Sequence, residues 1–307
     1  MDRFDAMKTL IAAVDGGSLS AASRKLGMPL ATVSRKVSEL EAHLHAQLVV
    51  RTSRKLLLTE AGEGYVLACR RILEDIDDAE RTAAGEYRVP RGHLTITAPV
   101  MFGKLHVEPV VLAFLKAYPE IQVRMVLNDH VITIADHQID AAIRIGPLPD
   151  SSMRALQLGA IRWVVCGSPD YLGEHGVPQT PHDLAQHDCV MFEGLHSTDM
   201  WSNAAWSFGA DAAALSIPIA PRLRVNTAEA ARAAAVAGTG LVRLLSYQVA
   251  DAVAAGALRL ILTAWEPPAI PVQLVHPGQA ILPLKLRAFL DFAAPRLRAA
   301  LRPGPGV

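Results

Sequence analysis

Apolar residues recur every three or four positions through most of the first ninety residues, and the pattern then gives way to alternating short runs. Phe4, Met7, Ile11 and Val14 mark one face of a first helix, which Gly16-Gly17 ends. Ser18 can cap a second, short helix whose face is Ala21, Ala22 and Leu26. Gly27 supplies a tight turn, and Pro29 suits the opening turn of a third helix running to about His43. On that helix Val33, Val37, Leu40 and Leu44 share the inward face. Ala31, Thr32, Ser34, Arg35 and Ser38 lie on or toward the opposite one. Leu48-Val49-Val50 and Leu56-Leu57-Leu58 then flank Arg51-Thr52-Ser53-Arg54-Lys55, the pattern of a β-hairpin with a basic tip.

A fourth helix is expected from Thr59 to about Glu86. It carries Tyr65, Cys69, Ile72, Ile76, Ala79 and Ala83 at spacings of 4, 3, 4, 3 and 4 residues, an a/d seam. The seam either packs on its own domain or meets a twin. Glu74, Asp75, Asp77 and Asp78 elsewhere on the helix favour the twin. Tyr87 to Gly92 has the composition of a hinge.

Beyond the hinge, strand and helix patterns alternate: strand His93–Ala98, helix Leu105–Tyr118, strands Ile121–Leu127 and Ala141–Ile145. A second set opens with strand Arg162–Gly167 and strand candidates near Val190, Trp206 and Ile217. Helix Thr227–Ala237 and strand Leu241–Leu245 follow. Val272–His276 returns to the first set, and a terminal helix, Pro283–Leu301, is interrupted or kinked at Pro295. This order implies parallel sheets with helices on their faces.

Composition narrows the possibilities. Of 307 residues, 51% are hydrophobic, enough for a large core. No apolar run approaches the roughly 20 residues needed to span a bilayer. Met1–Lys8 is charged, and no signal-peptide core follows it, so the chain is expected to be cytoplasmic. Three scattered cysteines, Cys69, Cys166 and Cys189, make no metal-ligand spacing, and neither metal nor cofactor is expected. Charge is uneven. Up to Leu58 there are nine basic and five acidic residues, a surplus of +4 that the remainder balances. A basic head on an acidic body suits phosphate binding by the head alone. The third helix, small and polar on its outer face with one guanidinium, suits the major groove of double-stranded DNA.

The segments Phe4–Val14, Gly17-Ser18-Leu19-Ser20-Ala21-Ala22-Ser23-Arg24-Lys25-Leu26-Gly27, Val33-Ser34-Arg35, Leu40-Glu41, Arg51-Thr52 and Leu58-Thr59-Glu60-Ala61-Gly62 together resemble the amino-terminal domain of the LysR-type transcriptional regulators. The resemblance covers about sixty residues. It implies an all-α-rich winged helix-turn-helix head with a long linker helix, followed by an α/β two-lobed, periplasmic-binding-protein-like domain. The head would occupy residues 1–58, the linker and hinge 59–90, and the effector domain 91–307. Lobe I would take 91–161 and 269–307, and lobe II 162–268, with crossings near Arg162 and Ala269. Thr97-Ala98-Pro99-Val100, Ile143-Arg144-Ile145-Gly146, Ser168-Pro169-Asp170-Tyr171 and Gly238-Thr239-Gly240-Leu241 support the two-lobed half. DNA contacts would come from Ser18, Ser20, Arg24, Pro29, Ala31, Thr32, Ser34, Arg35, Lys36, Ser38, Arg51, Arg54 and Lys55. The resemblance further implies a homodimer through the fourth helix, a tetramer through the sensor domains, and RNA polymerase as a partner. One departure stands out. The family commonly has Ser-Gln where Pro29-Leu30 stands, and leucine cannot make the bidentate contact to adenine that glutamine can. Thr32, Ser34 and Arg35 must then carry more of the reading.

A small-molecule effector is expected between the lobes, beyond the carboxyl ends of the strands. Thr97, Ala98, Pro99, Met101 and Phe102 lie at one such end and Asn226 and Thr227 at another. Two helix N-termini converging there would favour an organic acid. Thr227 is either a ligand contact or only a cap, Phe102 either wall or core, and Arg144 either reaches the cleft or pairs with an acid. Rival readings are a solute-binding protein of a transport system and a regulator without a small-molecule ligand. No G-x-S-x-G, H-E-x-x-H, G-x-G-x-x-G or P-loop pattern occurs, and the eleven histidines are scattered, so no enzyme is expected.

Overall fold

The computed structural model describes residues 2–51, 56–83, 89–129, 139–148, 153–193, 204–209, 215–278 and 282–302. Internal contacts divide the chain into two units, Met1–Gly92 and His93–Val307.

The first unit begins with α1 (Arg3–Asp15), whose first N–H groups at Phe4 and Asp5 are accepted by the Asp2 carboxylate. Its buried face is Ala6, Leu10 and Ala13, whereas Phe4 is half exposed. Of the face marked by Phe4, Met7, Ile11 and Val14, the last two are half-buried and pack against the head core. α2, α3 and α4 all pack on this helix. α2 (Leu19–Leu26) is capped by the Ser18 hydroxyl and stopped at Gly27, whose φ of 64° is left-handed. α3 (Leu30–Leu44) buries Val33, Val37 and Leu40. β1 (Val49–Arg51) and β2 (Leu56–Leu58) pair antiparallel, Val49 opposite Leu58. The Glu41 carboxylate accepts the N–H groups of Leu48 (2.8 Å) and Val49 (3.1 Å), tying the end of α3 to the hairpin. α4 (Glu60–Ala83) starts at Thr59, whose hydroxyl accepts the Gly62 N–H at 3.0 Å and donates to the Gln47 carbonyl at 2.6 Å.

The second unit holds β3 (Gly92–Ala98), α5 (Val100–Phe102), a π-helical turn (Gly103–Val107) and α6 (Glu108–Ala117). β4 (Ile121–Leu127), β5 (Ala141–Ile145) and β6 (Met153–Ile161) follow. Next come β7 (Trp163–Gly167), α7 (Pro169–His175), β8 (Cys189–Phe192), β9 (Ala205–Phe208), β10 (Leu215–Pro218) and β11 (Pro221–Val225). α8 (Ala228–Val236), β12 (Leu241–Leu245), α9 (Ser246–Ala254), β13 (Arg259–Ile261), β14 (Ile270–Pro277) and α10 (Leu284–Ala300) complete it. α10 continues through Pro295.

Two five-stranded sheets result, β4-β3-β5-β14-β6 and β11-β8-β12-β7-β13. Each is mixed rather than purely parallel. β3 runs parallel to β5, but β14 is antiparallel to β5 and β6. β11, β8 and β12 are parallel, but β7 is antiparallel to β12 and β13. Antiparallel partners arise where the chain changes sheets, because a strand entering from the other lobe arrives without a helical crossover. The crossings are at Arg162, between β6 and β7, and at 266–269, before β14. The Arg162 guanidinium meets the Glu266 carboxylate at 2.6 Å, so an ion pair pins the two crossing segments together. Among the described residues no helix is long and apolar enough to cross a membrane.

Candidate functional site

The outward face of α3 carries the residues expected to read the groove. Pro29, Ala31, Arg35 and Ser38 are exposed, and Thr32 and Ser34 are half-buried beside them. The Arg35 side chain is 70% exposed, and its Nε lies 3.9 Å from Glu39, too far for a hydrogen bond. The guanidinium is therefore available for exchange onto another acceptor. Ser20 and Arg24 on α2 are exposed, and Ser18 is the cap. Lys36 differs from expectation. Its ammonium pairs with Asp5 and approaches the Met28 sulfur at 3.5 Å, so it braces α3 against α1. Arg51 joins the hairpin by its backbone, opposite Leu56. Its side chain, and Arg54 and Lys55, lie outside the described residues.

The seam on α4 needs a correction. Cys69 is fully buried in the single chain, and Tyr65 packs against the head core beside Val66 and Leu10. Burial, and then the neighbouring Cys69, push the Tyr65 phenol up to about 12. The first turns of α4 thus pack on their own head and leave Cys69 nothing to bury against a twin. Ile72 is 41% exposed and Ile76 half-buried. The side chains of Ala79 and Ala83 lie outside the described residues.

In the second unit, Thr97 is fully buried and donates its hydroxyl to the Val126 carbonyl at 2.7 Å. Ala98 is buried and Pro99 half-buried. The N–H of Val100, first in α5, is taken by the Asp129 carboxylate at 2.9 Å. The anion expected at this helix start is therefore supplied by the chain itself. Phe102 is core, edge-on to Tyr247 of α9 at 5.3 Å, and Met101 inserts into the apolar cluster of the other lobe with Val164 and Val249. These contacts, with the Lys104–Glu229 ion pair at 2.9 Å, join the lobes directly. Thr227 caps α8 by accepting the Ala230 N–H at 3.3 Å, and Asn226 beside it is exposed. Arg144 is half-buried on β5 opposite Gln273, and burial lowers its pKa.

His106 lies at the same junction. Its ring is 4.8 Å from Phe102 and 5.7 Å from Tyr247, and its Nε2 is buried with no hydrogen-bond partner among the described residues. Burial lowers its pKa from the ordinary 6.5. The unfolded chain therefore takes up this proton first as pH falls. Stability is level above about 6.5 and declines below it. Burial also lowers His187, which adds to the decline. Melting curves of the full chain from pH 7.5 to 5 should show a fall that His106→Gln reduces. An unaltered slope in that variant would remove the ring from the account.

Cys166 and Cys189 are not placed to form a disulfide with each other. Cys166 on β7 and Cys189 on β8 flank opposite edges of β12. Two strand spacings separate them by about 9.5 Å, beyond disulfide reach of about 7 Å. Burial raises both thiols to about 12, so they are protonated and inert at neutral pH. Among the described residues no three His, Cys, Asp or Glu side chains gather as a metal site.

Comparison with known families decides the identity. Residues 4–63 match the bacterial regulatory helix-turn-helix proteins of the lysR family, and residues 88–298 match the LysR substrate binding domain. The chain belongs to the LysR family of transcriptional regulators. An HTH-type transcriptional regulator of Xanthomonas campestris is 34% identical over 92% of this chain and 82% of its own length. The regulator CrgA of Neisseria meningitidis is 31% identical over 95% and 96%. The solved structure of CrgA matches with a TM-score of 0.59 at 31% identity, covering 95% of this chain and 98% of that one. A full-length AphB variant matches at 0.61 with 26% identity, covering 95% and 98%.

Sequence reasoning about this LysR-type regulator missed Asp129, Lys104, Glu229, His106 and Tyr247. Partial signals existed. Asp129 follows a strand that ends beside β3, and Lys104 and Glu229 sit just past the two helix starts already singled out.

Proposed function

We propose that this regulator grips DNA as a homodimer through α3 and the β1–β2 hairpin, and that a small molecule held between the lobes controls the grip. The proposal assigns the cleft to sensing, with no catalytic step. The observation carrying the DNA half is the outward face of α3, which combines exposed small residues with polar ones and the 70% exposed side chain of Arg35. The ligand half has changed in character. Asp129 would repel a carboxylate placed at α5, so an acid's anionic end belongs with Asn226 and Thr227 at α8. The end facing lobe I would carry an apolar group or a hydrogen-bond donor. A ligand must favour one lobe arrangement over the other, since equal affinity moves no equilibrium.

The test is footprinting of the full-length protein on DNA upstream of its own gene, with and without small organic acids. Arg35→Ala is expected to relax the preference at one base pair per half-site by about 1–3 kcal/mol. Unchanged discrimination among operator variants would remove Arg35 from the reading face. Footprints indifferent to every acid would leave the sensing half unsupported.

A further inference from the structure

α3 opens with three consecutive exposed apolar residues, Pro29, Leu30 and Ala31. Leu30 is 47% exposed and, among the described residues, joins neither apolar cluster of the head. Pro29 has no N–H, and none of the three side chains carries a donor or acceptor. Further along, the outward residues Ser34, Arg35 and Ser38 are polar, so the helix start differs in kind from its middle. An exposed leucine gains nothing for the fold, and three such residues in a row are a defect unless something covers them. Recognition helices of helix-turn-helix domains touch base edges with their N-terminal residues. The apolar feature that a base pair presents in the major groove is the C5-methyl of thymine.

We propose that Leu30 is a specificity-determining residue that packs on a thymine methyl group. The inference rests on the DNA-binding reading and deepens it. A missing hydrogen bond at this position becomes a hydrophobic choice: T over C, whose C5 bears no methyl. The same contact accepts 5-methylcytosine, which carries that methyl in the groove.

The experiment selects a preferred site from random duplexes with the full-length protein, then replaces each thymine in turn by uracil. At one thymine in each half-site the wild type should lose about fourfold in affinity, the worth of one buried methyl. Leu30→Ala should bind the thymine and uracil duplexes equally there, with an unchanged melting temperature. Replacing that thymine by cytosine should weaken wild-type binding, and 5-methylcytosine should restore part of it. Leu30→Gln should move the preference at the same base pair toward adenine. A selected site whose uracil scan is flat, or is the same for wild type and Leu30→Ala, overturns the Leu30 assignment alone. A selection that recovers no preferred sequence overturns the DNA-binding reading along with it.

Discussion

Gly62→Ala is expected to cost the head about 3 kcal/mol or more, at the upper end for overpacking. The added methyl would lie 1.9 Å from the Leu48 carbonyl oxygen and 2.9 Å from its carbon. Both are backbone atoms, so no side chain can swing aside. Leu48 is itself 1% exposed, and its N–H is held by Glu41. Relief requires α4 to pull away from the hairpin root, which breaks the Thr59 cap. Gly64, two residues on, is the internal control. A methyl there meets nothing within 4 Å, and alanine should stabilise the helix by up to about 1 kcal/mol. Thermal melts of the two variants should therefore move in opposite directions. A Gly62→Ala midpoint equal to wild type would show that α4 does not approach Leu48 as described.

The second large effect concerns assembly. Ile72→Asp should raise the dimer dissociation constant at least about a hundredfold, because a carboxylate buried without a partner costs several kcal/mol. The change leaves the head intact, since Ile72 is 41% exposed there. The head transition in a melt should stay, while the light-scattering mass at micromolar concentration should fall to half that of the wild type. DNA binding should weaken with it, because a lone head grips one half-site. A variant whose mass equals the wild type's would place the contact elsewhere on α4, with exposed Leu67 the next residue to test.

How much of this was legible in the chain depends on the reach of each interaction. The Ser18 cap, the Gly27 turn and the inward face of α3 involve neighbours within a few residues, and periodicity exposes them. The α4 seam was visible as a face, but a period of 3.5 does not say what covers it. Cys69 went to the protein's own core and Ile72 did not. The cleft was read from helix starts, which are local. The partners that fill them are not: Asp129 reaches back 29 residues to Val100, and Glu229 meets Lys104 from 125 residues away. Thr97 looked like a free hydroxyl because its acceptor, Val126, belongs to a neighbouring strand. Strands β6, β11 and β13 and helices α7 and α9 escaped the pattern because they are short or alternate weakly between buried and exposed positions.

One carboxylate in the head has a consequence for how a ligand can act. By accepting from both Leu48 and Val49, Glu41 makes the end of the recognition helix and the root of the hairpin move as one piece. Each head would then meet its half-site as one unit. What a small molecule would then adjust, on the proposed reading, is the phase between two such grips along the double helix. Half-sites a whole number of turns apart, about 10 base pairs each, present the same edge to a dimer. On the proposed reading, a ligand that shifts the lobes would therefore be felt in the operator spacing the dimer accepts, which the footprints would register.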